Sequence, residues 1–282
     1  MIEYGAHAFV WIGDWTTESG NDTIRRAAET GFDFLEVPLL HPESFDAKSH
    51  RDVLRETGLG AKVSLALPTE FHMPDNPEGA KRFLRQVMTL MEELGSTYLA
   101  GCIGYSLGRL TGAPPTQTER QIIVEGLAEL ADDAKARGIT LALEACNRYE
   151  THLYNTLADT RDAVRETGAD NLFVHADTYH MNIEEEGFYK PFVENADAVN
   201  YVHMSESHRG LVGTGTVKWD EVFRGLKDAN FSGSLVLESF AAINPDIAAA
   251  TCLWRPTNQP PEVLATKGLA FLQEGAKNVG LS

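Results

Sequence analysis

Residues 139–144 read ITLALE, a short apolar run that ends in a glutamate. Side chains alternate between the two faces of a strand, so Thr140, Ala142 and Glu144 share one face and the three large apolar residues share the other. Helical patterns precede and follow this run, at residues 117–137 and 157–167. The stretch therefore predicts a strand of a parallel sheet that packs its large residues against helices and points its terminal glutamate away from them.

The same strand-and-helix unit recurs along the chain. Strands are predicted at residues 2–9, 33–38, 61–67, 97–103, 139–145, 171–177, 198–204 and 233–239. Helices are predicted at residues 23–30, 48–57, 77–94, 117–137, 157–167, 219–228 and 261–278. Eight strands in 282 residues predict an α/β fold with one domain over residues 1–282, a (β/α)8 TIM barrel, which typically has about 250 residues.

Four consecutive predicted strands end in a side chain that can bind a metal ion: Glu144, Asp177, His203 and Glu238. Alternation places each of them last in the inward-facing row of its strand. Because the carboxyl ends of barrel strands meet at one mouth, we expect the four groups to converge in an active site there. Three carboxylates and an imidazole suit one divalent ion, Mn²⁺ first, with Mg²⁺ or Co²⁺ as alternatives.

Composition restricts the partners. A net charge of −17 without a compensating basic cluster disfavours nucleic acid and anionic lipid. No apolar stretch approaches the roughly 20 residues that span a membrane, and the N-terminus carries no signal-like segment, so we expect a cytoplasmic protein. Cys102, Cys146 and Cys252 are far apart in the sequence, which argues against a disulfide framework or a thiolate metal site.

Four strings around the strand ends carry a resemblance to a known family. They are LALEACNRYE (141–150), HADTYHMNIEE (175–185), YVHMSESHRG (201–210) and LVLESF (235–240). The chain resembles the ketose 3-epimerases of the xylose isomerase-like TIM barrel superfamily, which act on D-tagatose, D-allulose (D-psicose) or L-ribulose. The resemblance implies an isomerase that inverts C3 of a free ketose by proton removal and return through a metal-stabilised enediolate.

The same resemblance implies a role for individual residues. Glu144, Asp177, His203 and Glu238 are expected to hold the metal, and the two glutamates are expected to exchange the C3 proton.

The substrate-binding residues implied by the resemblance follow the ligand strands. Glu150, His180 and Arg209 are expected to bind the O1–O2 end of the sugar. Phe240 and the segment Phe9–Trp15 are expected to form an apolar wall near the distal hydroxyls. Apart from the resemblance, the long loops at residues 68–77 and 104–116, rich in Pro, Gly and Thr, and the irregular segment 241–261 are expected to cover the barrel mouth.

Three other functions are alternatives. A sugar or inositol lyase, such as an inosose dehydratase on the same scaffold, would use similar metal-assisted enolisation and then lose water. A DNA-repair enzyme of the endonuclease IV type would need additional metal-binding histidines and a basic groove, which the acidic composition opposes. A barrel that binds sugar or metal without turnover is the third alternative, because a fold does not prove catalysis.

Several polar residues near the strand ends have plain structural interpretations. His175 is expected to be a hydrogen-bonded histidine of the barrel core. His7 and Glu36, near the ends of the first two strands, either touch substrate or fill the mouth. The glycines in HRGLVGTG (208–215) predict a tight turn, since no complete phosphate-binding motif accompanies them.

A homodimer or homotetramer is expected. Barrels of this type often associate through exposed helices, and Trp254, Leu264 and Leu269 are candidates for such a surface.

Overall fold

The computed structural model describes residues 1–243, 245–257 and 259–281, and the side chains of residues 245–247 are outside that description. Among these residues eight parallel strands form a closed barrel, in which each strand pairs with the next and the last pairs with the first. The strands are β1 (Ile2–His7), β2 (Phe34–Pro38), β3 (Gly60–Ala66), β4 (Tyr98–Cys102), β5 (Thr140–Glu144), β6 (Leu172–Asp177), β7 (Val199–Ser205) and β8 (Gly233–Glu238). The predicted barrel is confirmed.

Helices connect the strands and cover the barrel. They are α1 (Thr17–Thr30), α2 (Ala47–Thr57), α3 (Pro77–Leu94), α4 (Gln117–Ala136), α5 (Leu157–Thr167), α6 (Thr178–Glu184), α7 (Tyr189–Glu194), α8 (Trp219–Asp228), α9 (Pro245–Thr251) and α10 (Pro261–Val279). The sequence pattern did not predict α6, α7 or α9, because six or seven residues are too few to display helical periodicity.

The first strand is shorter than predicted. A 3-10 turn begins at Ala8 because the ring of His7 accepts a hydrogen bond from the backbone N–H of Phe9, at 3.1 Å. The segment 241–261, expected to be irregular, contains α9, while Asn244 and Asn258 lie outside the described residues.

Strand alternation separates two apolar layers, as predicted. Phe34, Ala100, Ala142, Tyr201 and Val236 form one buried cluster, on the inward-facing row. The neighbouring leucines of β5 and β8 belong to the larger cluster shared with the helices. A shift of one residue in any strand would exchange these layers. The hydrophobic pattern therefore determines which side chains reach the barrel mouth.

The proposed association surface is wrong in two of its three residues. Leu264 and Leu269 are buried in the core between α10 and the barrel, and only Trp254 of the three is exposed. Burial of the α10 leucines is the ordinary role of the outer helix ring in this fold. In the part of the chain that the structure describes, no helix is long and apolar enough to cross a membrane.

Candidate active site

The four predicted metal ligands come together at the carboxyl end of the barrel. Ligand atoms of Asp177, His203 and Glu238 all lie within 4.8 Å of one another. Glu144 shares one such group with Asp177 and another with His203. Glu144 and Glu238 share none among the described residues, because they stand on β5 and β8, which are separated by two strands. All four side chains are buried.

These groups border an open cleft. Glu144, His203 and Glu238 line a space of about 570 Å³, counting its mouth. This volume is within the range of roughly 300–1,000 Å³ that small-molecule sites occupy. His180, Glu150 and other predicted contact residues line the same cleft.

His203 is held by a residue of a distant strand. Its Nε2 lies 2.8 Å and 3.0 Å from the two carboxylate oxygens of Glu36, on β2. The hydroxyl of Tyr201 donates to the same carboxylate at 2.5 Å, and Nε2 of His7 lies 3.6 Å from it. An Nε2 that faces a carboxylate carries the proton, so Nδ1 is the atom left for the cleft.

The other ring nitrogen of His203 supports a metal site. Nδ1 is buried without a hydrogen-bond partner among the described residues, and it faces the Glu238 carboxylate at 3.4 Å. Burial would lower the pKa of His203, but the charges of Glu36 and Glu238 outweigh it and raise that pKa well above its usual value. This position favours a positive charge. An imidazole nitrogen beside converging carboxylates fits a divalent cation in both chemistry and charge.

Arg209 lies among the ligands. Its Nη1 donates to Asp177 at 2.8 Å and also to Glu238. Burial alone would raise the pKa of Glu238, but Arg209 and His203 hold that pKa well below its usual value. Burial raises the pKa of Asp177 to about 6, although Arg209 opposes the shift. Burial also raises the pKa of Glu144 well above its usual value.

His180 presents a hydrogen-bond donor to the cleft. Its Nδ1 accepts the backbone N–H of Asn147 at 3.1 Å, so the ring proton is on Nε2. Nε2 lies 3.5 Å from Glu144 and 3.5 Å from Asp177. Burial lowers the pKa of His180 well below its usual value, so the ring is neutral.

Glu150 is fixed beside His180. Its carboxylate accepts a hydrogen bond from the side chain of Asn147 at 2.8 Å. Burial raises the pKa of Glu150 to about 7, and Arg209 opposes this shift. Asn147 therefore orients both predicted substrate contacts on one side of the cleft.

Aromatic residues form another part of the wall. The ring of Phe240 lies 5.7 Å from that of Phe9 and 5.2 Å from the guanidinium of Arg209, between centroids or central atoms. Leu107, from the loop after β4, also lines the cleft. Trp15 instead borders an adjoining cavity of about 400 Å³, together with Phe45. Of the segment Phe9–Trp15, it is Phe9 that reaches the cleft.

The glycine-rich stretch after β7 does surround an anion, but the anion is a side chain of the protein. The buried carboxylate of Glu206 accepts backbone N–H groups from Ser207, Gly213 and Val217, at 2.8, 2.9 and 3.2 Å. It also accepts the indole N–H of Trp219 at 3.0 Å. Glu206 therefore closes the loop that carries Arg209. The signal in the sequence is an acidic residue at the start of the glycine-rich string SESHRGLVGTGT (205–216), and we did not predict its role.

The expectation for His175 is wrong. His175 is buried, but in the described part of the chain neither ring nitrogen has a hydrogen-bond partner; its Nδ1 lies 3.6 Å from Glu144. Cys102 and Cys146 are far apart in the sequence, but the fold brings their Sγ atoms to 3.4 Å from each other beside the cleft. Both are free, buried thiols, and burial raises the pKa of Cys102 to about 11.

The barrel and its ligand cluster define a class of protein. The sequence model of the xylose isomerase-like TIM barrel family matches residues 24–274. The chain belongs to this family.

Within this family, the chain is similar to several 3-epimerases of ketoses. The chain is 37% identical over 279 residues to the L-ribulose 3-epimerase of Methylomonas sp. (strain DH-1), covering 97% of both chains. It is 34% identical to the ketose 3-epimerase of Arthrobacter globiformis, covering 97% of this chain and 96% of that protein. A crystal structure of D-allulose 3-epimerase from Methylomonas sp. in complex with D-allulose superposes with a TM-score of 0.93 at 36% identity, covering 97% and 96% of the two chains. The resemblance to ketose 3-epimerases is confirmed.

Proposed function

We propose that this protein is an isomerase, a metal-dependent ketose 3-epimerase. It interconverts free ketoses at C3, such as D-allulose and D-fructose, D-tagatose and D-sorbose, or L-ribulose and L-xylulose. The observation that carries the proposal is the convergence of Glu144, Asp177, His203 and Glu238 beside one cleft, which Glu144, His203 and Glu238 line, in a chain 37% identical to an L-ribulose 3-epimerase.

The same four residues are the proposed ligands of one divalent ion. When bound, the ion would supply Lewis-acid polarisation of the ketose carbonyl, which makes the neighbouring C–H more acidic. Mn²⁺ is the proposed ion because the set contains three carboxylates and one imidazole, with Mg²⁺ and Co²⁺ as alternatives.

Proton transfer at C3 falls to Glu144 and Glu238. They project from non-neighbouring strands, so a sugar between them can meet one carboxyl group on each face. One glutamate removes the C3 proton, leaving an enediolate, and the other returns a proton to the opposite face. The net result is inversion at C3 with no other bond changed.

The surrounding donors orient the sugar. The Nε2–H of neutral His180 can donate to a substrate oxygen, and the guanidinium of Arg209 can donate to another. The carboxyl group of Glu150 can bind a hydroxyl. Because Arg209 already contacts Asp177 and Glu238, a phosphate group would compete with two carboxylates, which supports a free sugar over a sugar phosphate. Phe240 and Phe9 would meet the less polar face.

A chromatographic assay tests the function. Protein stripped of metal with EDTA and then given Mn²⁺ is offered D-allulose, D-fructose, D-tagatose and L-ribulose, in D2O and in H2O. The expected result is metal-dependent formation of the C3 epimer, with deuterium from D2O at C3 by NMR. Loss of water from the sugar would indicate the lyase instead, and binding without turnover would indicate the non-catalytic barrel.

Matched variants locate the chemistry. Glu238→Gln should abolish epimerisation, whereas Glu3→Gln, at the opposite end of the barrel, should keep it. Thermal melts must show both variants folded. Wild-type activity in Glu238→Gln would contradict the assignment of this glutamate. The homodimer or homotetramer and the cytoplasmic location stay predictions from the sequence.

A further inference from the structure

Glu36 is a buried carboxylate that the proposed chemistry does not use. It has no solvent exposure and stands on β2, while His203 stands on β7 across the barrel. A buried charge is costly unless it is hydrogen-bonded. Its contacts are therefore informative about what it does.

Among the described residues, histidine and tyrosine side chains of β1 and β7 surround the Glu36 carboxylate. Nε2 of His203 lies at 2.8 Å and 3.0 Å from its two oxygens, and the hydroxyl of Tyr201 donates at 2.5 Å. Nδ1 of His7 accepts the backbone N–H of Phe9 at 3.1 Å, so His7 turns its Nε2–H toward Glu36, at 3.6 Å.

This arrangement determines both the orientation and the tautomer of the His203 ring. With its proton on Nε2, the lone pair of Nδ1 faces the Glu238 carboxylate at 3.4 Å, and His203, Asp177 and Glu238 offer ligand atoms within 4.8 Å of one another. The ring also packs edge-on against His175, with centroids 4.1 Å apart, which limits rotation. A protein carboxylate that fixes a histidine in this way raises the ability of the free nitrogen to bind metal.

We propose that Glu36 is a positioning residue that holds His203 in the Nε2–H tautomer and aims its Nδ1 at the divalent ion. The inference rests on the proposed function, since it takes His203 as a metal ligand. Among the described residues Glu36 belongs to no group that could hold a metal ion, and it does not line the cleft.

Isosteric replacement separates this role from packing. Glu36→Gln keeps the side-chain volume but removes the charge and can present an N–H₂ group to His203. Loss of such a partner typically weakens metal affinity by about 10- to 100-fold. Isothermal titration of the metal-free protein with Mn²⁺ should show this increase in Kd. Glu3→Gln, which lies far from the site, should keep the wild-type Kd.

A second readout reports the tautomer directly. In ¹⁵N-histidine-labelled protein loaded with diamagnetic Mg²⁺, wild-type His203 should show a pyrrole-type Nε2 and a metal-bound, pyridine-type Nδ1. In Glu36→Gln, the ¹⁵N signals of His203 should no longer show the proton fixed on Nε2 and the metal on Nδ1. A purely structural role would lower the melting temperature without changing either the Kd of the folded protein or the ring signals.

The outcomes separate the two proposals. Wild-type protein that binds Mn²⁺ but epimerises no ketose would reject the function and leave the role of Glu36 standing. An active wild type together with a Glu36→Gln variant whose Kd lies within threefold of wild type would overturn the role of Glu36. Wild-type protein that binds no divalent ion would also overturn it. If Glu36→Gln does not fold, Glu36→Asp keeps the charge but withdraws it from His203, and its Kd should rise as well.

Discussion

Replacing Glu206 by Gln should loosen the loop that carries Arg209. Each carboxylate oxygen of Glu206 accepts two hydrogen bonds: one from Ser207 and Val217, the other from Gly213 and the Trp219 indole. In glutamine one of these oxygens becomes an amide N–H₂, so two donors lose their acceptor whichever way the amide turns.

The expected loss in the free energy of unfolding follows from those two unpaired donors. Hydrogen bonds to a charged acceptor contribute roughly 1.5–3 kcal/mol each, and an unsatisfied buried donor costs about 1–3 kcal/mol. Water can reach the exposed Gly213 end of the loop, so we expect a total loss of about 2–4 kcal/mol. At roughly 2 °C per kcal/mol for a chain of this size, the melting temperature should fall by about 4–8 °C.

The effect should depend on pH. Burial opposes ionisation of Glu206, but hydrogen bonds from Trp219 and the loop backbone outweigh it and hold its pKa below the ordinary 4.5. A carboxylate with a lowered folded pKa stabilises the protein fully above its unfolded pKa, and this contribution is lost as the pH falls through the folded value. The difference in melting temperature between wild type and Glu206→Gln should be constant from neutral pH down to about pH 6 and shrink below about pH 4.5.

Calorimetry with EDTA present measures this difference without a metal contribution. Glu185→Gln is the matched control, since that carboxylate accepts a backbone N–H from Leu157 that the remaining amide oxygen can still accept, and the variant should lose less than about 1 kcal/mol. Activity should also fall in Glu206→Gln because the loop positions Arg209. A melting temperature within about 1 °C of wild type at pH 7, or a difference that does not shrink in acid, would refute the reasoning.

Other predictions concern the backbone, the thiols and the metal. Gly101→Ala should lower the free energy of unfolding by roughly 3 kcal/mol or more, because a Cβ there would lie 2.2 Å from the carbonyl oxygen of Leu65 at a φ of +106°. Gly58→Ala, at φ +72° with no described atom within 4 Å of the added Cβ, should lower it by only about 1–2 kcal/mol. Equal midpoints of urea unfolding for the two variants would contradict this. Iodoacetamide at pH 8 should modify the exposed Cys252 quickly and the two buried thiols only after unfolding, because buried thiols of raised pKa are poor nucleophiles. Mass spectrometry counts the adducts, and rapid labelling of all three cysteines would contradict this prediction. Mn²⁺ at about 100 times its Kd should stabilise the wild type by about 2.7 kcal/mol, and scanning fluorimetry that shows no shift relative to EDTA would argue against the metal site.

Much of this protein was determined by the sequence alone. Alternation in ITLALE and in the other strand runs predicted a barrel and assigned an inward face to each strand. The same alternation placed Glu144, Asp177, His203 and Glu238 last in their inward rows, and the structure brings them to one mouth. These features are local. Successive side chains of a strand alternate between its two faces, and the direction of the chain determines which end of the strand is the carboxyl end.

Tertiary structure decided the contacts between distant strands. Barrel closure brings Glu36 of β2 onto His203 of β7, and it places Cys102 beside Cys146. Neither distance is encoded in a local pattern, since each depends on the stagger and curvature of the whole sheet. The burial of Leu264 and the lack of a hydrogen-bond partner for His175 among the described residues have the same origin. The environment of a side chain is set by what packs against it, and those neighbours come from elsewhere in the chain.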